Sequence, residues 1–134
     1  MPIHPARCAV WGLYARDILI GLFGNGDVPM HLIRGMHNLR DSHRGCVATI
    51  GNFDGVHLGH QSVFASLTMR ARSLGLASLV ITFEPQPMEF FLPEQAPARL
   101  TRLREKLEAI AACGIDRVLL IRFDERFAAV EARD

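Results

Sequence analysis

Short apolar runs alternate with stretches of helical periodicity along this chain, and that alternation limits its possible folds more than any other feature. Cys46-Val47-Ala48-Thr49-Ile50 is an apolar run closed by Gly51 and predicts a buried strand. The segment from His60 to Leu74 predicts a helix, with Val63, Phe64, Leu67, Ala71 and Leu74 on one face and Gly75 as its stop. Leu79-Val80-Ile81-Thr82-Phe83 is a second apolar run, rich in β-branched residues. Thr101 is placed to cap a helix through Ala112, with Leu103, Leu107 and Ile110 facing inward and Gly114 after its end. Val118 to Phe123 reads as a third strand, and Phe127 to Glu131 as the opening of another helix. The order β-α-β-α-β predicts an α/β fold: a Rossmann-like parallel sheet with right-handed crossovers.

Composition narrows the function classes. A length of 134 residues fits one domain. Lys and Arg number 15 against 14 Asp and Glu, a net charge of +1, which lacks the basic excess of a general nucleic-acid binder. Cys8, Cys46 and Cys113 are an odd set without CxxC spacing, so the expected compartment is a reducing cytoplasm. Trp11 to Phe23 is apolar but carries Arg16 and Asp17, and it falls short of the about 20 residues of a membrane span. Arg7 precedes this run as in a signal peptide, yet the run gives way to the turn-like Gly24-Asn25-Gly26-Asp27, with no small-residue cleavage site. Residues 1–29 are therefore expected to be a poorly ordered extension, and 30–134 the folded domain.

The segment Gly51-Asn52-Phe53-Asp54-Gly55-Val56-His57-Leu58-Gly59-His60 joins the first predicted strand to the first helix. Ligands of open α/β sheets bind at the carboxyl ends of the strands, where this loop lies. Gly51, Gly55 and Gly59 let backbone approach a ligand closely. The helix start offers N–H groups and a positive dipole end to a phosphate. His57 and His60 stand there as donors to phosphate oxygens on which charge develops. The chain has neither GxxxxGK[ST] nor a GxGxxG after a strand, and His57 and His60 lack further Cys or His at zinc-ligand spacing. The connection from Glu84 to Leu100 holds Pro85, Pro87, Pro93 and Pro97, and loops of that length are usually functional or disordered.

At these residues a resemblance becomes specific. His57-Leu58-Gly59-His60 resembles the HxGH signature of the nucleotidyltransferase superfamily, and GNFDGVHLGH resembles its form in bacterial FAD synthetases, the bifunctional riboflavin kinase/FMN adenylyltransferases. Thr82-Phe83-Glu84-Pro85-Gln86-Pro87, followed by Glu89-Phe90-Phe91, resembles the TFxPxP motif of that family. Leu100-Thr101-Arg102-Leu103-Arg104-Glu105-Lys106 resembles its "LT…K" helix opening, and Ile33-Arg34-Gly35-Met36-His37-Asn38-Leu39 its usual start. The match runs from about Met30 to Phe127. The resemblance implies an FMN adenylyltransferase, which converts ATP and FMN into FAD and pyrophosphate. It implies His57 and His60 as catalytic residues, and an ATP site formed by Gly51, Asn52, Phe53, Asp54 and Gly59. It implies flavin contacts from Phe83, Pro85 and Pro87, and Mg²⁺ accompanying ATP, with no metal ligand assigned.

The sequence also departs from that family. The GxDFxFGxxRxG and ISSTxxR motifs have no counterpart in these 134 residues, and none of them is expected to form the riboflavin kinase domain. The expectation is therefore an incomplete nucleotidyltransferase domain whose sheet exposes edges. Two readings compete with the leading one: another HxGH cytidylyl- or adenylyltransferase, and a non-catalytic nucleotide-binding fragment. Neither nucleic acid nor membrane is an expected partner.

Overall fold

The computed structural model describes residues 30–130, so the expected 1–29 extension and the last four residues lie outside the described part. β1 (His31–Arg34), β2 (Cys46–Ile50), β3 (Ala77–Phe83) and β4 (Arg117–Ile121) form one sheet in the order β1-β4-β3-β2. Every pair is parallel, with Cys46 opposite Ala77, Leu79 opposite Arg117 and His31 opposite Arg117 in register. α1 (Leu58–Leu74) follows β2. α2 (Pro87–Phe91) and α3 (Leu103–Ala112) follow β3, and α4 (Glu125–Ala128) follows β4. The expected β-α-β-α-β alternation is thus present as β2-α1-β3-α3-β4, and β1 adds a fourth strand beside β4. Four apolar-flanked residues, His31 to Arg34, carry too short a pattern to be read as a strand alone; pairing with β4 makes them one.

Two-residue alternation sorts the central strands onto two faces. Val80, Val118 and Leu120 pack with Phe64 and Leu67 of α1 and Leu107 and Ile110 of α3. Leu79, Ile81, Leu119 and Ile121 point the other way, onto Ile33, Leu39 and Phe83, with Phe123 and Phe127 against them. Burial on both faces explains why β3 and β4 read as continuous apolar runs. At the amino-terminal side, Asp116 ties the two strands together. Its carboxylate accepts from the Ser78 N–H (2.8 Å) and hydroxyl (3.0 Å), and its own N–H donates to Ser78 Oγ (2.9 Å).

Several boundaries move from their predicted places. β2 is an edge strand rather than a buried one, and Ile50 is 62% exposed. α1 begins at Leu58, two residues early, because the His57 side chain caps it. Phe64, Leu67 and Ala71 are buried as expected, but Val63 and Leu74 are each 43% exposed. Thr101 is not the cap of α3. Arg102 holds that position, where its N–H donates to Glu105 (2.8 Å). The long connection after β3 contains α2, opened by Pro87 at its first turn. α4 spans Glu125–Ala128 and so starts two residues before the expected Phe127, while Glu131 lies outside the described residues.

Phe64 is fully buried, so Phe64→Ala is expected to cost about 3–5 kcal/mol, whereas the half-exposed Val63→Ala changes stability by about 0.5 kcal/mol or less. Urea melts of the two variants check this.

Candidate active site

All strands of a parallel sheet end on one side, which brings the Gly51–His60 loop, the segment after Phe83 and the segment after Ile121 together. The loop is backbone-strained. Phe53 has φ 50° and ψ 35°, and Val56 has φ 38°, a region that β-branched side chains resist. Gly55, at φ 76°, supplies the third such turn. There a Cβ would also lie 2.9 Å from Leu100 Cδ1, so a side chain is excluded on two grounds. Four anchors hold this path. The Phe53 ring is buried 4.8 Å from that of Phe64, centroid to centroid. The Gln61 amide donates to Val56 O (3.1 Å). Asp54 and Lys106 supply the other two.

Asp54 accepts at both carboxylate oxygens. The Leu100 N–H lies at 2.8 Å from Oδ2, and the Thr101 N–H (3.0 Å) and hydroxyl (2.9 Å) reach Oδ1. Thr101 Oγ1 in turn accepts from the Gly55 N–H at 3.2 Å. Burial alone would raise the Asp54 carboxyl. The hydrogen bonds from Leu100 and Thr101, with the Lys106 charge, hold it below its ordinary 3.8. Lys106 is 3% exposed, and its ammonium donates to Asn52 O (3.0 Å) and Thr82 Oγ1 (3.2 Å). Thr82 Oγ1 donates to the same Asn52 carbonyl at 3.1 Å. Burial pushes Lys106 below its ordinary 10.5. Glu84 opposes that shift, as do Asp54 and Glu89, and Arg99 adds to it.

The two histidines lie where the sequence places them. His57 Nδ1 accepts from the Gly59 (3.1 Å) and His60 (3.4 Å) N–H groups. With Nδ1 accepting, Nε2 is the ring nitrogen left to donate. The two imidazoles stack, with centroids 3.6 Å apart and planes 21° from parallel. His60 also meets the Phe53 ring edge-on at 5.3 Å, and its Nδ1 is buried with no hydrogen-bond partner. Burial first, then repulsion from the neighbouring His57 whenever that ring is protonated, pull His60 below its ordinary 6.5 against the opposing pull of Asp54. Two of the helix-start N–H groups expected to face a phosphate are thus engaged by His57.

After Phe83, Arg99 gathers the carboxylates of Glu84 and Glu89, donating to Glu84 Oε2 at 3.0 Å and Glu89 Oε2 at 2.6 Å. Glu89 also accepts from the Gln86 N–H (2.8 Å), which pins α2, and the Arg99 hydrogen bonds hold Glu89 below its ordinary 4.5. Phe83 packs against Phe123 and Phe127, with centroids 5.7 and 5.8 Å away. Phe123 continues to Phe90 (5.5 Å) and Phe91 (5.4 Å). Phe91 is exposed and Phe83 buried, so the aromatic cluster runs from core to surface. Beside it, Met36, Ile121 and Phe127 line a cleft of about 370 Å³ rimmed by Arg122 and Arg126.

Gly51, Asn52, Phe53, Asp54, His57, Gly59 and His60 therefore share one loop, with Phe83, Pro85 and Pro87 at the neighbouring strand end. Phe53 and Asp54 serve as anchors of that loop. Sequence reasoning does not single out Lys106, Thr101, Arg99 or Phe123 as site residues. Thr101 and Lys106 do leave a signal in the LT…K string, and Lys106 also lies on the inward face of α3 with Leu103, Leu107 and Ile110. Among the described residues, no group of three or more His, Cys, Asp and Glu side chains could hold a metal, and no helix is long and apolar enough to cross a membrane.

The geometry is thus that of an α/β protein with a Gly-rich strand-to-helix loop on a parallel sheet and the HxGH histidine pair at its helix start. The FAD synthetase family model matches residues 39–134, and the chain belongs to that family. It is 56% identical over 106 residues to the bifunctional riboflavin kinase/FMN adenylyltransferase of Escherichia coli K12, covering 78% of this chain and 34% of that protein. The Pseudomonas fluorescens protein of the same name is 56% identical over 105 residues, covering 78% and 33%. The chain thus spans about a third of the length of these relatives. The crystal structure of a macrolide-efflux protein from Streptococcus pneumoniae shares the fold, with a TM-score of 0.53 and 25% identity over 66% of this chain and 30% of that one.

Because its folded pKa is lowered, Asp54 contributes stability that is present above about pH 3.8 and lost as pH falls through the lower folded value. Asp54→Asn is expected to be less stable at neutral pH and to lose less on acidification across that window. Thermal melts between pH 7 and pH 2 check both.

Proposed function

We propose that this chain carries the FMN adenylyltransferase chemistry of its family, the transfer of AMP from ATP to FMN. The observation that carries the reading is the His57–His60 pair at the start of α1, in a chain whose family match covers this loop. ATP would lie with its phosphates over Gly51 to His60. An FMN phosphate oxygen would attack the α-phosphorus as its bond to the pyrophosphate oxygen breaks, yielding FAD and pyrophosphate. Such chemistry needs alignment and charge stabilisation rather than a covalent enzyme intermediate.

The residues divide the work. His57 Nε2–H would donate to a phosphate oxygen. Release of its Nδ1 contacts would free the Gly59 and His60 N–H groups for the same oxygens. His60 would stand beside His57 facing the phosphates, its ring held by the stack on His57 and the edge of Phe53. The aromatic cluster of Phe83, Phe91 and Phe123 offers a face to an isoalloxazine ring, with Pro85 and Pro87 shaping the approach. The described residues do not form a cage for a resident Mg²⁺, since Asp54 has committed both oxygens. The reading gives Mg²⁺ no protein-held role: it enters as the counterion of the triphosphate. A cytoplasmic setting belongs to the same proposal.

Pyrophosphate release is the test. Release requiring both ATP and FMN is the expected result. A preference for CTP or for another phosphate acceptor would instead indicate a different HxGH transferase, and ATP binding without turnover a non-catalytic nucleotide-binding fragment. His57→Asn retains a capping side chain and should melt near the parent, yet lose about 10²–10³-fold in turnover. His60→Ala is expected to lose a similar factor, read in the same assay.

A further inference from the structure

We propose that Lys106 is a positioning residue that locks the Gly51–His60 loop to the end of β3, so that the nucleotide and flavin sides of the site form one rigid unit; its functional meaning rests on the adenylyltransferase reading. The geometry is a closed triangle. The ammonium donates to Asn52 O and Thr82 Oγ1, and Thr82 Oγ1 donates to Asn52 O, all between 3.0 and 3.2 Å. Asn52 lies between Gly51 and the left-handed Phe53, so its carbonyl direction sets the path of the strained turn beyond it. Thr82 is fully buried and immediately precedes Phe83, the root of the aromatic cluster.

α3 therefore grips the loop at two points. Thr101, just ahead of the helix, binds Asp54 and Gly55 from outside, while Lys106 binds Asn52 from beneath. A neutral side chain of the same length would fill the space but leave a buried carbonyl with one donor instead of two. Retaining a buried cation there is costly unless its hydrogen bonds determine something, and what these determine is the relative position of two loops.

Amide hydrogen exchange on the full chain, without ligand, tests the role directly. Lys106→Met keeps the stem and removes the donors. The expected result is a rise of about tenfold or more in exchange, confined to 51–60 and to residues 82–84, with the amides of β4 and the middle of α1 unchanged. Thr82→Val should raise exchange at the same amides by a smaller factor, and Thr82→Ser should restore the parent rates. A uniform rise through the core would make Lys106 an ordinary packing residue, and no rise would remove any role for it; either overturns the proposal. If Lys106→Met does not fold, the Thr82 pair decides by the same pattern. ATP–Mg²⁺ added to the parent chain separates the two readings. Protection of 51–60 supports the nucleotide site. Its absence sinks that reading, while the ligand-free exchange result still decides the positioning role.

Discussion

Phe53 and Val56 occupy backbone conformations that side chains other than glycine disfavour, each at a cost of order 1–3 kcal/mol, and the surrounding structure must supply the restraint. The restraint comes from four contacts: the Phe53 ring sunk against Phe64, the Gln61 amide on Val56 O, the Asp54 carboxylate saturated by Leu100 and Thr101, and the Lys106 ammonium on Asn52 O. Remove these and the loop has no reason to keep the path that brings His57 and His60 to the helix start. The dependence explains why residues far apart in sequence, 52 to 54, 82 and 100 to 106, act as one unit. It also explains why Asp54 is an anchor of the loop. A carboxylate with both oxygens accepting has little capacity left for a ligand.

Electrostatics obey the same crowding. Two imidazoles stacked at 3.6 Å cannot both carry charge cheaply, and burial pulls His60 below its ordinary 6.5. Around them Asp54, Glu84 and Glu89 are matched by Lys106 and Arg99, with Arg99 bridging the two glutamates. The pairing fixes the connection between β3 and α3 at both ends, although much of it runs exposed from Leu92 to Leu100. A loop tethered this way presents Phe91 at the surface without losing its own shape.

The edge strand β2 stands apart from this order. Among the described residues it pairs only with β3, and Ile50 and Leu58 are exposed there at 62% and 82%. This edge lies directly beside the loop that bears the histidines. Such an edge offers unpaired backbone groups and apolar side chains to whatever chain adjoins it.

Much of the fold was legible in the sequence. β3, β4 and the body of α1 and α3 could be read from apolar periodicity, because burial on one helix face or both sheet faces leaves that mark. The glycine spacing and the HLGH string located the site, because close backbone approach and a helix start need those residue types locally. Other features left no local mark. β1 became a strand only through β4, and β2 lost its expected burial only because no described strand covers its edge. Thr101 turned from cap to clamp because Asp54, remote in sequence, comes within hydrogen-bonding reach. The sequence by itself determined the β2-α1-β3-α3-β4 order and which loop joins β2 to α1 with glycines and histidines, since both rest on short-range patterns. Only the tertiary structure decided that Lys106 sits beneath Asn52, that His57 covers its own helix start and that five phenylalanines meet beyond β3, since these depend on distances between segments that periodicity does not encode.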